Sequence, residues 1–114
     1  MHELGIVVHV INQIEKIAEE KKVNKVLELT LEVGEVSGVV KEYFVDAFNW
    51  SIKKTKYMKE CKLNYIEIQG ITYCETCGKT YETTKYGKEC PYCHSDKTYL
   101  VTGRDVSIKD IKVI

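Results

Sequence analysis

Residues 74–94 read CETCGKTYETTKYGKECPYCH. Cys74 and Cys77 make one C-x-x-C pair, Cys90 and Cys93 make another, and twelve residues lie between the pairs. A two-residue gap lets both sulfurs of a pair reach one ion while the backbone amides bend toward them. Gly78, directly after the first pair, supplies the loose dihedrals such a turn needs. Two knuckles at this spacing predict a zinc ribbon with four thiolate ligands. Four thiolates complete a tetrahedral zinc, leaving no position for water or substrate, so the predicted site is structural.

Two other readings compete. The CPYC knuckle is similar to that of rubredoxin, so iron in an electron carrier is the sharper alternative; iron thiolate is red and zinc thiolate colourless. Disulfides are the plainer one. They are disfavoured because the chain reads as cytoplasmic, where thiols stay reduced. It lacks a basic, unbroken apolar leader, and no apolar run approaches a membrane span.

Outward from the module, both flanks alternate. KLNYIEIQG (62–70) reads as a strand with Ile66 and Ile68 on the core side. The tail DVSIKDIKVI (105–114) reads as another, its apolar positions slipping by one near Lys109–Asp110, as at a bulge. The tail needs an apolar face to pack on, and only the N-terminal part offers one. The module is therefore an insertion.

In that N-terminal part, residues 3–21 predict an amphipathic helix. Leu4, Val7, Val8, Ile11, Ile14 and Ala18 share one face. VLELTLEVG (26–34) alternates as a strand, and GEVSG (34–38) is a loop. KEYFVDAFNWSIKKTKY (41–57) predicts a second helix with Phe44, Ala47, Phe48 and Ser51 or Ile52 inside. The expected fold class is α+β. A two-helix, three-stranded sheet domain (1–69 plus 102–114) carries an inserted four-cysteine zinc-ribbon domain (70–101).

Composition narrows the function. The 114 residues carry 17 Lys and Arg against 17 Asp and Glu. Within 70–101, Lys79, Lys85, Lys88 and Lys97 are balanced by Glu75, Glu82, Glu89 and Asp96. A groove that tracks phosphates needs a basic excess, so nucleic acid is not an expected partner, nor is a membrane. Tyr73, Tyr81, Tyr86, Tyr92 and Tyr99 are expected to fill the small core of the module. No Ser/His/Asp set, phosphate loop or open metal site argues for an enzyme. Cys61, alone, reads as a small core or strand residue.

His94 follows Cys93 directly. It reads as a surface residue, or more sharply as a spare zinc ligand able to replace a thiolate and make the site pH-dependent. The chain opens Met1-His2-Glu3. A free Met1 amine, the His2 peptide nitrogen and the His2 imidazole form adjacent five- and six-membered chelate rings. The Glu3 amide or carboxylate can complete four positions. Ni(II) and Cu(II) promote loss of the peptide proton and accept square-planar nitrogen; zinc does so poorly. A helix-start histidine without a task is the plain alternative. His9 falls on His2's side of the helix but about 10 Å farther along, too far to share the ion.

MHE at the start, VGEVSGV followed by FVDAF, the CETC and CPYC pairs, and the tail GRDVSIKDIKV occur in that order. Together they closely resemble the HypA family of hydrogenase-maturation nickel metallochaperones, over essentially the whole chain. The resemblance implies that Met1, His2 and Glu3 hold Ni(II), and that Cys74, Cys77, Cys90 and Cys93 hold Zn(II). It also implies two partners, a nickel-handling GTPase (HypB) and the large subunit of a [NiFe]-hydrogenase. The expected protein is a monomer or weak homodimer. Some relatives also serve urease. Some carry an acidic residue in the loop after SG, where this chain has Val39-Val40-Lys41 with Glu42 next; if that acidic group tunes nickel or partner choice, a urease role is in doubt. Many relatives have glycine where this chain has His94. The alternative function is a zinc-ribbon adaptor that binds protein or nucleic acid without nickel transfer.

Overall fold

The computed structural model describes residues 2–114, with the backbone alone at His2. In chain order the elements are α1 (His2–Glu20), β1 (Val26–Gly34), α2 (Lys41–Ser51), β2 (Lys62–Ile68), β3 (Ile71–Cys74), β4 (Thr80–Glu82), α3 (Thr83–Tyr86), β5 (Thr98–Thr102) and β6 (Val106–Val113). They form two three-stranded sheets, ordered β2-β1-β6 and β4-β3-β5. The α+β class, the first helix and the first sheet are as the sequence predicts.

The chain divides into two compact units. One comprises 1–31, 39–65 and 108–114; the other comprises 32–38 and 66–107. The loop 32–38 and the strand ends at 66–69 and 102–107 thus group with the cysteine module.

In the first unit, α1 packs on α2. Val7, Ile11, Ile14 and Ala18 of α1 are buried with Val26, Leu29 and Leu31 of β1, and Phe44 and Phe48 of α2. Each of these side chains except Ala18 contributes about 1.5–3 kcal/mol by leaving water. Val8 departs from expectation. It is 42% exposed, while Val10 is buried. At about 100° per residue, Val8 lies about 100° from Val7 around the helix and Val10 about 60° on the other side. The same geometry puts Glu3 only about 40° from Val7, inside the apolar stripe. Glu3 is accordingly buried, at 7% exposure.

The second helix is shorter than expected. It ends at Ser51 and tightens into a 3-10 turn over Ile52–Lys54. Thr55 closes that turn: its hydroxyl donates to the Ile52 carbonyl (2.6 Å) and accepts from the Met58 amide (3.1 Å). Glu15 of α1 then accepts from the amides of Lys56 (2.7 Å) and Tyr57 (3.0 Å). Those amides, which helical continuation would have used, are held by another element.

Ile66 and Ile68 are half-buried. Among the described residues of the first unit, β2 reaches the core through Tyr65, edge-on to Phe44 at 5.9 Å. In β6 the half-buried residues Val106 and Ile111 are five apart, an odd spacing that a regular strand would place on opposite faces.

Candidate metal centre

β3 is the middle strand of the second sheet and pairs antiparallel with β4 and β5. It ends at Cys74, so the first knuckle turns directly out of the sheet. The second knuckle precedes β5. The two knuckles use the same bonds. The Gly78 amide donates to the Cys74 carbonyl (2.9 Å), and the Cys74 amide to the Lys79 carbonyl (2.9 Å). Likewise the His94 amide donates to the Cys90 carbonyl (2.8 Å), and the Cys90 amide to the Ser95 carbonyl (3.0 Å). The repeat explains an oddity. The residue after each second cysteine has positive φ: 74° at Gly78 and 62° at His94. A histidine occupies a conformation that favours glycine.

The four sulfurs converge within 4.8 Å of one another. Sγ of Cys74 is 3.6 Å from that of Cys93, and Sγ of Cys77 is 3.6 Å from that of Cys90. These are not disulfide distances; all four are free thiols. A tetrahedral ion about 2.3 Å from each sulfur separates them by about 3.8 Å, so the cluster fits a structural zinc site. Each knuckle supplies one buried sulfur residue (Cys74, Cys90) and one exposed (Cys77, Cys93). Bound there, zinc would tie the two knuckles together.

The thiols are electrostatically unequal. The Cys77 amide, hydrogen bonding to Cys74 sulfur, is the main reason that thiol is lowered to about 7. At Cys93 the Ser95 amide pulls downward, but desolvation and the neighbouring sulfurs outweigh it and raise the thiol to about 12. Cys77 is also raised: the Lys79 amide pulls it down, but desolvation and the sulfurs of Cys90 and Cys74 prevail. Amides directed at sulfur stabilise thiolates, as metal binding requires.

His94 lies outside the four-sulfur group. Its Nδ1 is 3.2 Å from Glu89 Oε2, and both side chains are well exposed. Replacing His94 by glycine is expected to preserve one zinc per chain and to leave thermal stability equal or slightly higher. His94→Val, β-branched at positive φ, is expected to cost about 1–2 kcal/mol. Metal analysis and thermal unfolding of the zinc-loaded variants check both outcomes; loss of zinc from the glycine variant would make His94 a ligand.

The tyrosines do less core filling than expected. Tyr81 is buried, whereas Tyr86, Tyr92 and Tyr99 are 43–58% exposed. Tyr73 tilts against Tyr99 (5.3 Å), and Lys79 lies over Tyr92 (4.6 Å). The buried core cluster of this unit is Cys74, Tyr81 and Cys90. The metal centre stands where a larger domain would have aliphatic packing.

Met1 and the side chain of His2 lie outside the described residues. Glu3 is described. Its Oε2 accepts from the Val40 amide at 3.2 Å, at the N-cap of α2. Sequence reasoning missed this link; the signal was Glu3's position on the apolar stripe. Glu3→Gln, which keeps an acceptor oxygen, is expected to hold most of the stability. Glu3→Ala is expected to lose about 1–2 kcal/mol in urea unfolding, because it strands a part-buried amide. Cys61 is buried, as expected, and burial followed by the charge of Glu28 raises its thiol to about 11.

A family profile described as hydrogenase/urease nickel incorporation, metallochaperone, matches residues 1–113. The chain is 32% identical over 113 residues to the hydrogenase maturation factor HypA of Chlorobium phaeobacteroides, covering 99% of each. It is 32% identical over 111 residues to the HypA of Prosthecochloris aestuarii, covering 97% of each. The solution structure of the Ni metallochaperone HypA from Helicobacter pylori matches with TM-score 0.73 and 20% identity, over 98% of this chain and 97% of that one. A second HypA solution structure gives TM-score 0.75 at 23% identity, over 100% and 97%. At these identities the structural matches establish the fold.

Proposed function

The chain belongs to the HypA family of nickel-incorporation metallochaperones, and from that premise we propose that it binds one Ni(II) at its N-terminus and delivers it to the large subunit of a [NiFe]-hydrogenase. The observation that carries this is the family match across residues 1–113 of a chain that opens MHE. Met1 supplies its amine, and His2 its peptide nitrogen and imidazole. Glu3 completes the site through its amide or its carboxylate. The carboxylate is already engaged with Val40, which favours the amide.

The start of α1 suits this chemistry. Peptide N–H groups in the first turn of a helix have no acceptor within it. The His2 nitrogen therefore loses its proton without breaking a helical hydrogen bond. Nickel is cargo, held by ligands that protonation can release, whereas zinc is a resident saturated by four sulfurs. In this reading residues 1–69 plus 102–114 form the nickel domain and 70–101 the zinc domain. The GTPase HypB is the nickel-handling partner in the cytoplasm. Among the described residues no helix is long and apolar enough to cross a membrane.

The test is nickel transfer. Untagged, nickel-loaded protein is mixed with the hydrogenase large-subunit precursor, and nickel in each is counted after separation. Movement of nickel to the precursor is expected. A chain extended by a few residues before Met1 is expected to load no nickel at this site and transfer none. Equal loading of the extended chain would overturn the amine ligand.

A further inference from the structure

The second unit holds a cleft of about 530 Å³ that is separate from the four sulfurs. Lys88 and Arg104 line it, with Thr72, Thr83, Val36 and Leu100. No carboxylate lines it. That is unexpected by composition, since this unit carries more Asp and Glu than Lys and Arg. Arg104 is the chain's sole arginine. Among the described residues neither Arg104 nor Lys88 forms an ion pair.

Both cations stand on pinned backbone. Arg104 follows Gly103, whose φ is +97° and where an added Cβ would lie 2.5 Å from Gly70 Cα. The Gly103 carbonyl accepts from the Val36 amide (2.8 Å), and the Asp105 carbonyl from the Gly34 amide (2.9 Å). Lys88 follows Gly87, whose carbonyl accepts from the Tyr81 hydroxyl (2.8 Å). The Lys88 carbonyl itself accepts from the Thr98 hydroxyl (2.7 Å). Thr72 Oγ1 and Thr83 Oγ1 are 2.6 Å apart. One donates to the other, so one hydroxyl proton of the pair has no acceptor among the described residues.

We infer that this cleft binds a small organic dianion, a dicarboxylate or a phosphate monoester. Arg104 and Lys88 hold the charge, the threonine pair donates the remaining hydrogen bond, and Val36 and Leu100 cover the carbon body. The volume suits a small ligand larger than a bare inorganic ion, with mainly apolar lining and a few polar anchors. The guanidinium fork matches both headgroups bidentately.

The probes are succinate and phenyl phosphate, with neutral succinamide as control, titrated into full-length zinc-loaded protein and followed by amide chemical shifts. Saturable binding of either dianion is expected, with shifts centred on Thr72, Thr83 and Arg104. Arg104→Gln and Lys88→Gln are each expected to weaken it about tenfold, the value of one charge-assisted hydrogen bond. Both residues are exposed, so the variants should retain zinc and fold, verified by metal content and dispersed spectra. The inference is overturned if neither dianion saturates, if succinamide binds as tightly, or if Arg104→Gln and Lys88→Gln bind like the parent.

Discussion

Cys90→Ser is expected to cost the second unit both its zinc and its fold. Zinc content should fall from one per chain to near zero, and the aromatic circular dichroism of the tyrosines around β3 to β5 should collapse. The scale is large because structural zinc supplies about 10–16 kcal/mol in comparable small modules. The buried hydrophobic cluster around the knuckles is Cys74, Tyr81 and Cys90, so two of its three members are themselves metal-site cysteines. Cys61→Ser is the comparator. Cys61 is buried too, with its Sγ 3.7 Å from the Lys62 carbonyl, but it is not among the clustered sulfurs. That variant should keep one zinc per chain. Retention of zinc and tyrosine dichroism by Cys90→Ser would show that the unit folds without the metal.

The pH dependence has a definite sign. Cys93 is raised to about 12 and Cys77 is raised also, so zinc entry expels protons from both. Affinity therefore increases with pH. As pH falls through about 7, Cys74 takes up a proton as well and steepens the loss. Zinc competition against a chromophoric chelator between pH 6 and 8 reads this slope.

His2→Ala is expected to abolish the nickel site while leaving zinc untouched. It removes the imidazole and one chelate ring together. The loss should exceed the about 10–100-fold that even an outer-shell partner of a metal is worth. Equilibrium dialysis against nickel should show one ion per untagged parent chain and none on the variant at the same free concentration. In the parent the α-amine, the imidazole and the peptide nitrogen must all be free of protons to hold the ion. Affinity should therefore fall steeply as pH is lowered. Equal affinity and stoichiometry in His2→Ala would place nickel elsewhere on the chain.

Some of this protein was fixed by residue order alone. The spacing of Cys74, Cys77, Cys90 and Cys93 predicts the metal cluster because a knuckle is local: two residues between sulfurs determine the turn. Alternation in 26–34 and the helical periods of α1 and α2 are local as well, and those elements appear where expected. The identity of the first three residues, and hence the nickel hypothesis, is also a property of sequence. Tertiary structure decided what depends on distant partners. The second helix stops early because Thr55 and Glu15 take its next amides, and Glu15 lies 41 positions before Lys56. Glu3 is buried against Val40, 37 positions away, because the apolar stripe of α1 carries it there. Positive φ at His94 follows from the knuckle's closing bonds, and composition does not reveal it. Lys88 and Arg104 share one cleft because the Gly87 and Gly103 turns are each pinned by hydrogen bonds to other parts of their unit. Periodicity and spacing describe a chain's neighbours along the sequence, whereas these features belong to groups that meet only after folding.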